Sequence, residues 1–243
     1  MKLCYVVANE NIRDLLLSLH LNGKKFLPTD NMSEKEAYDL VASSLRQIHN
    51  YGFFAQRERV EDIPTIKQII PSVTIVDPDT DNILLYQRKA THTEKRLSGM
   101  WTPVFGGHID PDDSIDLEFS DLATYNMLPS VPIIMQALGR ELLEETGINL
   151  SVEESSNDLV FEGFIQDNSN EVGQVHLGVF FVLYRPITND LCQAILRKPE
   201  IADLKILESP NYGFPYDSDI ELESWAEIVL DHLEEKRKIM YNE

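Results

Sequence analysis

The chain has 243 residues, enough to bury a full core, and its 43% apolar content is that of an ordinary globular protein. Its 41 acidic residues against 21 basic ones give a formal net charge of −20, which excludes non-specific nucleic-acid binding, a property that needs phosphate neutralisation by Lys and Arg. No apolar run approaches the length of a membrane span, residues 3–8 are too short for a signal-peptide core, and two cysteines, Cys4 and Cys192, make no disulfide framework; a soluble, cytoplasmic protein with reduced core thiols and no membrane partner is expected.

Residues 1–66 read as an appended α/β extension and 67–243 as the main domain. Residues 3–7 suit a short strand. Ser33-Glu34-Lys35-Glu36 forms a capping box, and Ala37, Leu40, Val41, Ser44, Leu45 and Ile48 follow at helical spacing, so a helix is expected over about 34–50. The charge run from Gln56 to Asp62 reads as a solvated connection, with Arg57 and Arg59 as candidate phosphate contacts.

In the main domain, 69–76 and 83–87 read as strands around an Asp77-Pro78-Asp79 turn. Arg88, Lys89, Lys95 and Arg96 then form a small basic cluster, either counter-charges for an anionic substrate or loop solubilisers. Gly106-Gly107-His108-Ile109-Asp110 follows, preceded by Gly99-Met100-Trp101. Ser130 and Pro132 start a helix and Gly147 stops it, giving about 132–146 with Gly139 inside at a cost of about 1 kcal/mol. Strands are expected over 159–165 and 175–184, with a loop at 167–171 between them. Over 220–240, Leu222, Trp225, Ala226, Val229, Leu230 and Leu233 share one helical side, with Trp225 as a core anchor and a base-stacking platform as its alternative.

The helix over 132–146 carries the most informative stretch, Arg140-Glu141-Leu142-Leu143-Glu144-Glu145-Thr146-Gly147-Ile148. Glu141, Glu144 and Glu145 stand at i, i+3 and i+4 and are therefore neighbours. A helix C-terminus is the negative pole of its dipole, so each glutamate of the last turn is disfavoured by about 0.3–1 kcal/mol before mutual repulsion. Such crowding asks for a cation.

The nonapeptide, together with the upstream Gly-Gly loop and the apolar strand ending in Gln87-Arg88, resembles the signature of the Nudix (MutT-like) hydrolases: Gly, five residues, Glu, seven residues, then Arg-Glu-aliphatic-any-Glu-Glu-any-Gly-aliphatic. The second half matches at every specified position from Arg140 to Ile148. The first half matches at Gly107, but six positions on stands Asp113 rather than Glu, and 26 residues separate it from Arg140 instead of seven. The box therefore resembles one split by about 19 extra residues. Gly-Gly-His-Ile, Lys67-Gln68-Ile69-Ile70-Pro71, Val175-His176-Leu177-Gly178 and Glu223-Ser224-Trp225 look like a MutT-like "predicted phosphoesterase" branch.

The resemblance implies an α+β fold, a Nudix-type α/β/α sandwich with a mixed sheet, and a pyrophosphohydrolase acting on acid anhydrides. Diphosphate hydrolysis needs charge neutralisation and a water of lowered pKa, which Mg²⁺, or Mn²⁺ in its place, supplies from oxygen ligands. By resemblance, Glu144 and Glu145 are principal metal ligands, Glu141 a further ligand or a group orienting water, Arg140 a holder of Glu141, and the Gly107 carbonyl part of the metal shell. Gly106, Gly107 and Arg88 contact phosphate, and His108 contacts substrate, with a satisfied structural role as its alternative and as that of His176. The general base is open among Glu171, Glu200 and Glu208. The insert over 114–131 is either a substrate-selecting lid or a passive excursion.

The favoured function is Mg²⁺-dependent cleavage of a P–O–P bond in a small-molecule nucleoside diphosphate linked to another moiety. A diphosphate isomerase on the same fold is suggested by Gly99-Met100-Trp101-Thr102-Pro103 and His108, but Val104-Phe105-Gly106-Gly107 supplies no cysteine before the His. A non-catalytic nucleotide sensor would not need all three carboxylates. Nothing in the sequence sets an oligomeric state.

Overall fold

The computed structural model describes residues 2–21, 26–27, 34–89, 97–114, 132–150, 158–209 and 220–241. The chain falls into two compact units, the first built from Met1–Ser72, Gly106–Arg140 and Phe161–Phe181, the second from Val73–Phe105, Glu141–Val160 and Val182–Glu243. The insert over 114–131 lies, apart from Ser114, outside the described residues, as do Lys95 and Arg96.

In the first unit, strand β1 (Leu3–Ala8) pairs antiparallel with β3 (Phe53–Gln56), Leu3 opposite Gln56, and with the start of β4 (Ile66–Val76), Val6 opposite Gln68. Beyond β4 come β9 (His176–Tyr184), β8 (Leu159–Ile165) and the short β2 (Phe26–Leu27). The strands of β9 and β4 are buried almost throughout, as central strands should be. Helix α1 (Arg13–Leu21) was not legible in advance, whereas α2 (Glu34–Tyr51) matches the expected helix, with Val41, Ala42, Ser44, Leu45 and Ile48 buried. The Tyr5 hydroxyl donates to the Ile48 carbonyl at 3.0 Å, tying β1 to α2. The charge run is more than a connection: Arg57–Val60 forms a single helical turn, α3, because Val60 reaches the apolar cluster of Cys4 and Val6 while Arg57 pairs with Glu61 on the outside at 3.0 Å.

In the second unit, β5 (Ile83–Arg88) lies between β10 (Ile201–Leu207) and the end of β4, with Val76 opposite Ile83. Asp77 fastens the β4–β5 turn by accepting from the backbone of Asp79 and Thr80 at 3.1 Å each and of Ile187 at 2.8 Å, and these bonds hold its carboxyl below the usual range. The short β6 (Trp101–Thr102) pairs with the far end of β5, and β7 (Phe105–Gly106) with β4.

Helix α4 (Pro132–Thr146) has the expected bounds. Ile133, Ile134, Ala137, Leu138 and Leu142 form its buried stripe, leaving Arg140, Glu141, Glu144 and Glu145 off it. Gly147 ends it at φ +81°, its N–H donating to the Leu143 carbonyl at 3.0 Å, an αL stop that favours glycine. The remaining helices are α5 (Glu171–Val175), α6 (Asn189–Leu196) and α7 (Ser224–Tyr241). On α7, Ala226, Val229, Leu230 and Leu233 are buried as expected, but Trp225 is only half-buried: it flanks the stripe, and an indole is too large to be covered from there. Cys4 is buried and Cys192 half-buried, and both are free thiols. The elements make an α+β fold, a mixed sheet with helices. Among the described residues no helix is long and apolar enough to cross a membrane.

Candidate active site

The first unit gathers the Gly-Gly loop around an arginine. Gly106 has φ +144°, and a Cβ there would overlap the Pro71 carbonyl oxygen and crowd Ser72 on β4, so only glycine lets this loop leave the sheet. Gly106, Gly107 and His108 are all half-buried. Three residues on, Pro111–Ser114 makes a 3₁₀ turn that buries Asp113. Its carboxylate accepts Arg140 Nε at 2.8 Å, Arg140 NH2 at 2.9 Å and the Asp110 backbone N–H at 2.8 Å. The same guanidinium donates to the His108 carbonyl at 2.9 Å. The two halves of the split box are thus joined by a bidentate pair, the geometry that suits Arg and carboxylate best. Asp113 reaches Arg140 because the 3₁₀ turn brings its short side chain within range.

Behind the loop lies a buried polar chain. The His108 Nε2 atom is 2.9 Å from Gln68 Oε1 and 3.3 Å from His176 Nε2, the two rings standing edge-on at 5.4 Å. His176 Nδ1 lies 2.6 Å from the Val172 carbonyl, at the start of the turn of α5. Gln68 Oε1 also accepts the Cys4 thiol at 3.5 Å. Lys67 is buried with its ammonium on the Gln174 carbonyl. Burial dominates the titration of this group. It drives the Cys4 thiol up to about 11 and the Lys67 ammonium down to about 8. It holds His108 well below the usual imidazole value, helped by Arg57, His176 and Lys2, and His176 down to about 4, opposed by the Val172 hydrogen bond and helped by Arg57. No local pattern in Lys67-Gln68 or Val175-His176 announces that Gln68 and His176 meet at His108.

A pH dependence follows from His176. Its folded pKa of about 4 is below the ordinary 6.5, so between these values the unfolded chain binds the proton more readily. Stability is therefore retained above about 6.5 and lost as pH falls toward 4. Denaturant midpoints measured across this window should fall for the wild type and fall less for His176→Phe, which has no proton to take up. Equal slopes in the two proteins would remove His176 from the account.

The second unit holds the acidic turn and Arg88. Glu141 and Glu145, at i and i+4, are half-buried, and Glu144 is exposed. Arg88, at the end of β5, pairs with the buried Glu223 just before α7 and lies 5.4 Å from the centre of the Tyr86 ring. Tyr86 is buried, stacks on Phe105 at 4.6 Å and donates its hydroxyl to the Val104 carbonyl at 3.1 Å. Burial pushes this phenol far up, with the field of Glu145, Glu223 and Glu141 adding to the shift and Arg88 opposing it. Glu145 also acts on Arg88, so the acidic turn and the arginine share one electrostatic neighbourhood. Glu223 was not singled out from the sequence as a partner of Arg88; the two are 135 positions apart. Of the candidate bases, Glu171 opens α5 in the first unit, whereas Glu200 and Glu208 flank β10 in the second, and all three are exposed.

Among the described residues no three His, Cys, Asp or Glu side chains form a ready-made metal cage. Glu141, Glu144 and Glu145 are all oxygen donors, the chemistry that a hard divalent cation takes with one or two carboxylates and several waters. Glu141 and Glu145, neighbouring on one helical face with Glu144 beside them, offer that kind of all-oxygen site.

No family model matches the chain. The solved structure of Tm1382, described as a candidate Nudix hydrolase, is similar at a TM-score of 0.59 and 22% identity, covering 97% of this chain and 100% of that one. The chain therefore has the fold of that structure, with the two halves of its box held together by Asp113 and Arg140. The chain is 30% identical over 220 residues to protein YmaB of Bacillus subtilis (strain 168), covering 85% of this chain and 95% of that protein, and it belongs to the same family as YmaB.

Proposed function

We propose that the protein hydrolyses a P–O–P bond in a nucleoside diphosphate linked to another moiety, with Mg²⁺ held by Glu141, Glu144 and Glu145. The observation that carries this reading is the bidentate Asp113–Arg140 pair, which keeps a box divided by an insert joined at the point where the acidic turn begins. Bound Mg²⁺ would supply charge neutralisation and a water of lowered pKa. The chain's own part is to present the carboxylates on one turn, to hold the loop carbonyl of His108 through Arg140, and to place Arg88 near Glu145. Gly106 and Gly107 keep the loop free of side chains where a phosphate would approach. Arg88 would meet phosphate only by sharing or leaving Glu223.

Release of phosphate or pyrophosphate from a panel of nucleoside triphosphates, dinucleoside polyphosphates, nucleotide sugars and dinucleotide cofactors tests the reading; no turnover of any member with Mg²⁺ or Mn²⁺ overturns it. A second readout does not need the substrate. Because the carboxylates crowd the negative pole of α4, Mg²⁺ should raise the melting temperature in a concentration-dependent way. Glu145→Gln should melt at or above the wild type without metal and gain less from adding it. A wild type indifferent to Mg²⁺, with a clearly destabilised variant, would make these glutamates structural partners of a basic group.

A further inference from the structure

The chain of groups behind the Gly-Gly loop fixes hydrogen-bond directions that no single residue reveals. A carbonyl oxygen only accepts, so the 2.6 Å contact to Val172 requires that His176 carry its proton on Nδ1. With that nitrogen protonated, a neutral His176 has a bare lone pair on Nε2. Two lone pairs do not face each other at 3.3 Å, so the facing nitrogen of His108, Nε2, must bear a hydrogen. The same N–H points toward Gln68 Oε1 at 2.9 Å, an acceptor in this orientation of the amide, which leaves Gln68 Nε2 buried without a partner among the described residues. The opposite amide orientation would set Gln68 N–H groups against that N–H, and would be tolerable only if His176 carried a second proton inside a buried cluster that also holds Lys67.

We infer that Gln68 and His176 are positioning residues which hold His108 in its Nε2–H form, so that Nδ1 is the ring atom presented as a hydrogen-bond acceptor. Nδ1 has no hydrogen-bond partner among the described residues, and the residue is half-buried. The His108 carbonyl is held at the same time by Arg140, so both the backbone and the ring of this residue are fixed. An acceptor of this kind repels phosphate oxygens. It takes an O–H or N–H group of the substrate, such as a sugar hydroxyl or an exocyclic amine, and so reads the part of the molecule that is not the diphosphate. This last step rests on the activity proposed above, whereas the hydrogen-bond directions do not.

The test is ¹⁵N NMR of protein labelled at histidine, at neutral pH, with each ring identified by the loss of its signals in His108→Asn and His176→Asn. The expected result is a pyrrole-type Nδ1 and imine-type Nε2 for His176 and the reverse for His108. Protonated Nδ1 on His108, or rings averaging between both forms, overturns the positioning role; this is read on the wild type and needs no variant to fold beyond the two used for identification. Saturating ADP is then added as the probe. An upfield shift of the His108 Nδ1 signal supports the acceptor role, and an unmoved Nδ1 signal while other resonances shift overturns it. If ADP perturbs nothing and the panel gives no turnover, the activity reading fails, while the wild-type spectrum still decides the positioning.

Discussion

Glu145→Gln should lower kcat/KM by roughly 10²–10⁴-fold, and Glu144→Gln by a comparable factor, since the loss of a charged metal ligand removes several kcal/mol of activation and about 1.4 kcal/mol is a factor of ten. The substitution keeps the volume of the side chain and removes only its charge. Glu145 is half-buried and lies in the field of Arg88 and Tyr86, so its charge is placed where it is poorly screened by water. Glu144 is exposed, and its loss should leave the melting temperature untouched even as activity falls. Steady-state kinetics on the best substrate of the panel, with Mg²⁺ saturating, checks both. A double variant that turns over at a near-wild-type rate would sink the assignment of this helix turn as the catalytic centre.

The second large effect concerns the pair that closes the box. Arg140→Met leaves the Asp113 carboxylate buried with one backbone donor in place of three bonds. Breaking a buried pair from one side costs about 3–5 kcal/mol; because a quarter of the Arg140 side chain is exposed, about 2–3 kcal/mol is the appropriate figure. In a domain of this size that is a fall in melting temperature of roughly 4–12 °C. The reciprocal change, Asp113→Asn, keeps two acceptor sites' worth of shape but only one oxygen, and should cost less. If Arg140→Met and Asp113→Leu combined is more stable than Arg140→Met alone, the penalty is that of the orphaned carboxylate; if all three variants melt with the wild type, the pair has no part in holding the halves together.

Local chemistry was legible in the sequence. The bounds of α4 followed from Pro132 and Gly147, and the strand 159–165 from its own composition, because each signal acts over one turn or one strand. What escaped was of two kinds. Helix α6 and strand β10 went unannounced although Thr188 caps the helix by accepting from Leu191, since β10 lies beside only β5 in its unit and is too exposed to alternate cleanly. The other kind is long-range: His108 meets Gln68 and His176 across 40 and 68 positions, and Arg88 meets Glu223 across 135. Those meetings depend on strand register, which no local pattern specifies. The acidic turn could be read as chemistry from the sequence, and its supporting partners could not.

The span between Asp113 and Arg140 also says something about how such a chain can change length. By closure entropy alone the cost of bringing two chain positions together grows only as the logarithm of their separation, about 0.6 kcal/mol per doubling, so a spacing of 26 residues instead of seven adds on the order of 1 kcal/mol. A bidentate pair between the two ends of the span outweighs that. The interval is therefore a point at which the chain can change length at little thermodynamic cost without redesigning the turn that carries the glutamates.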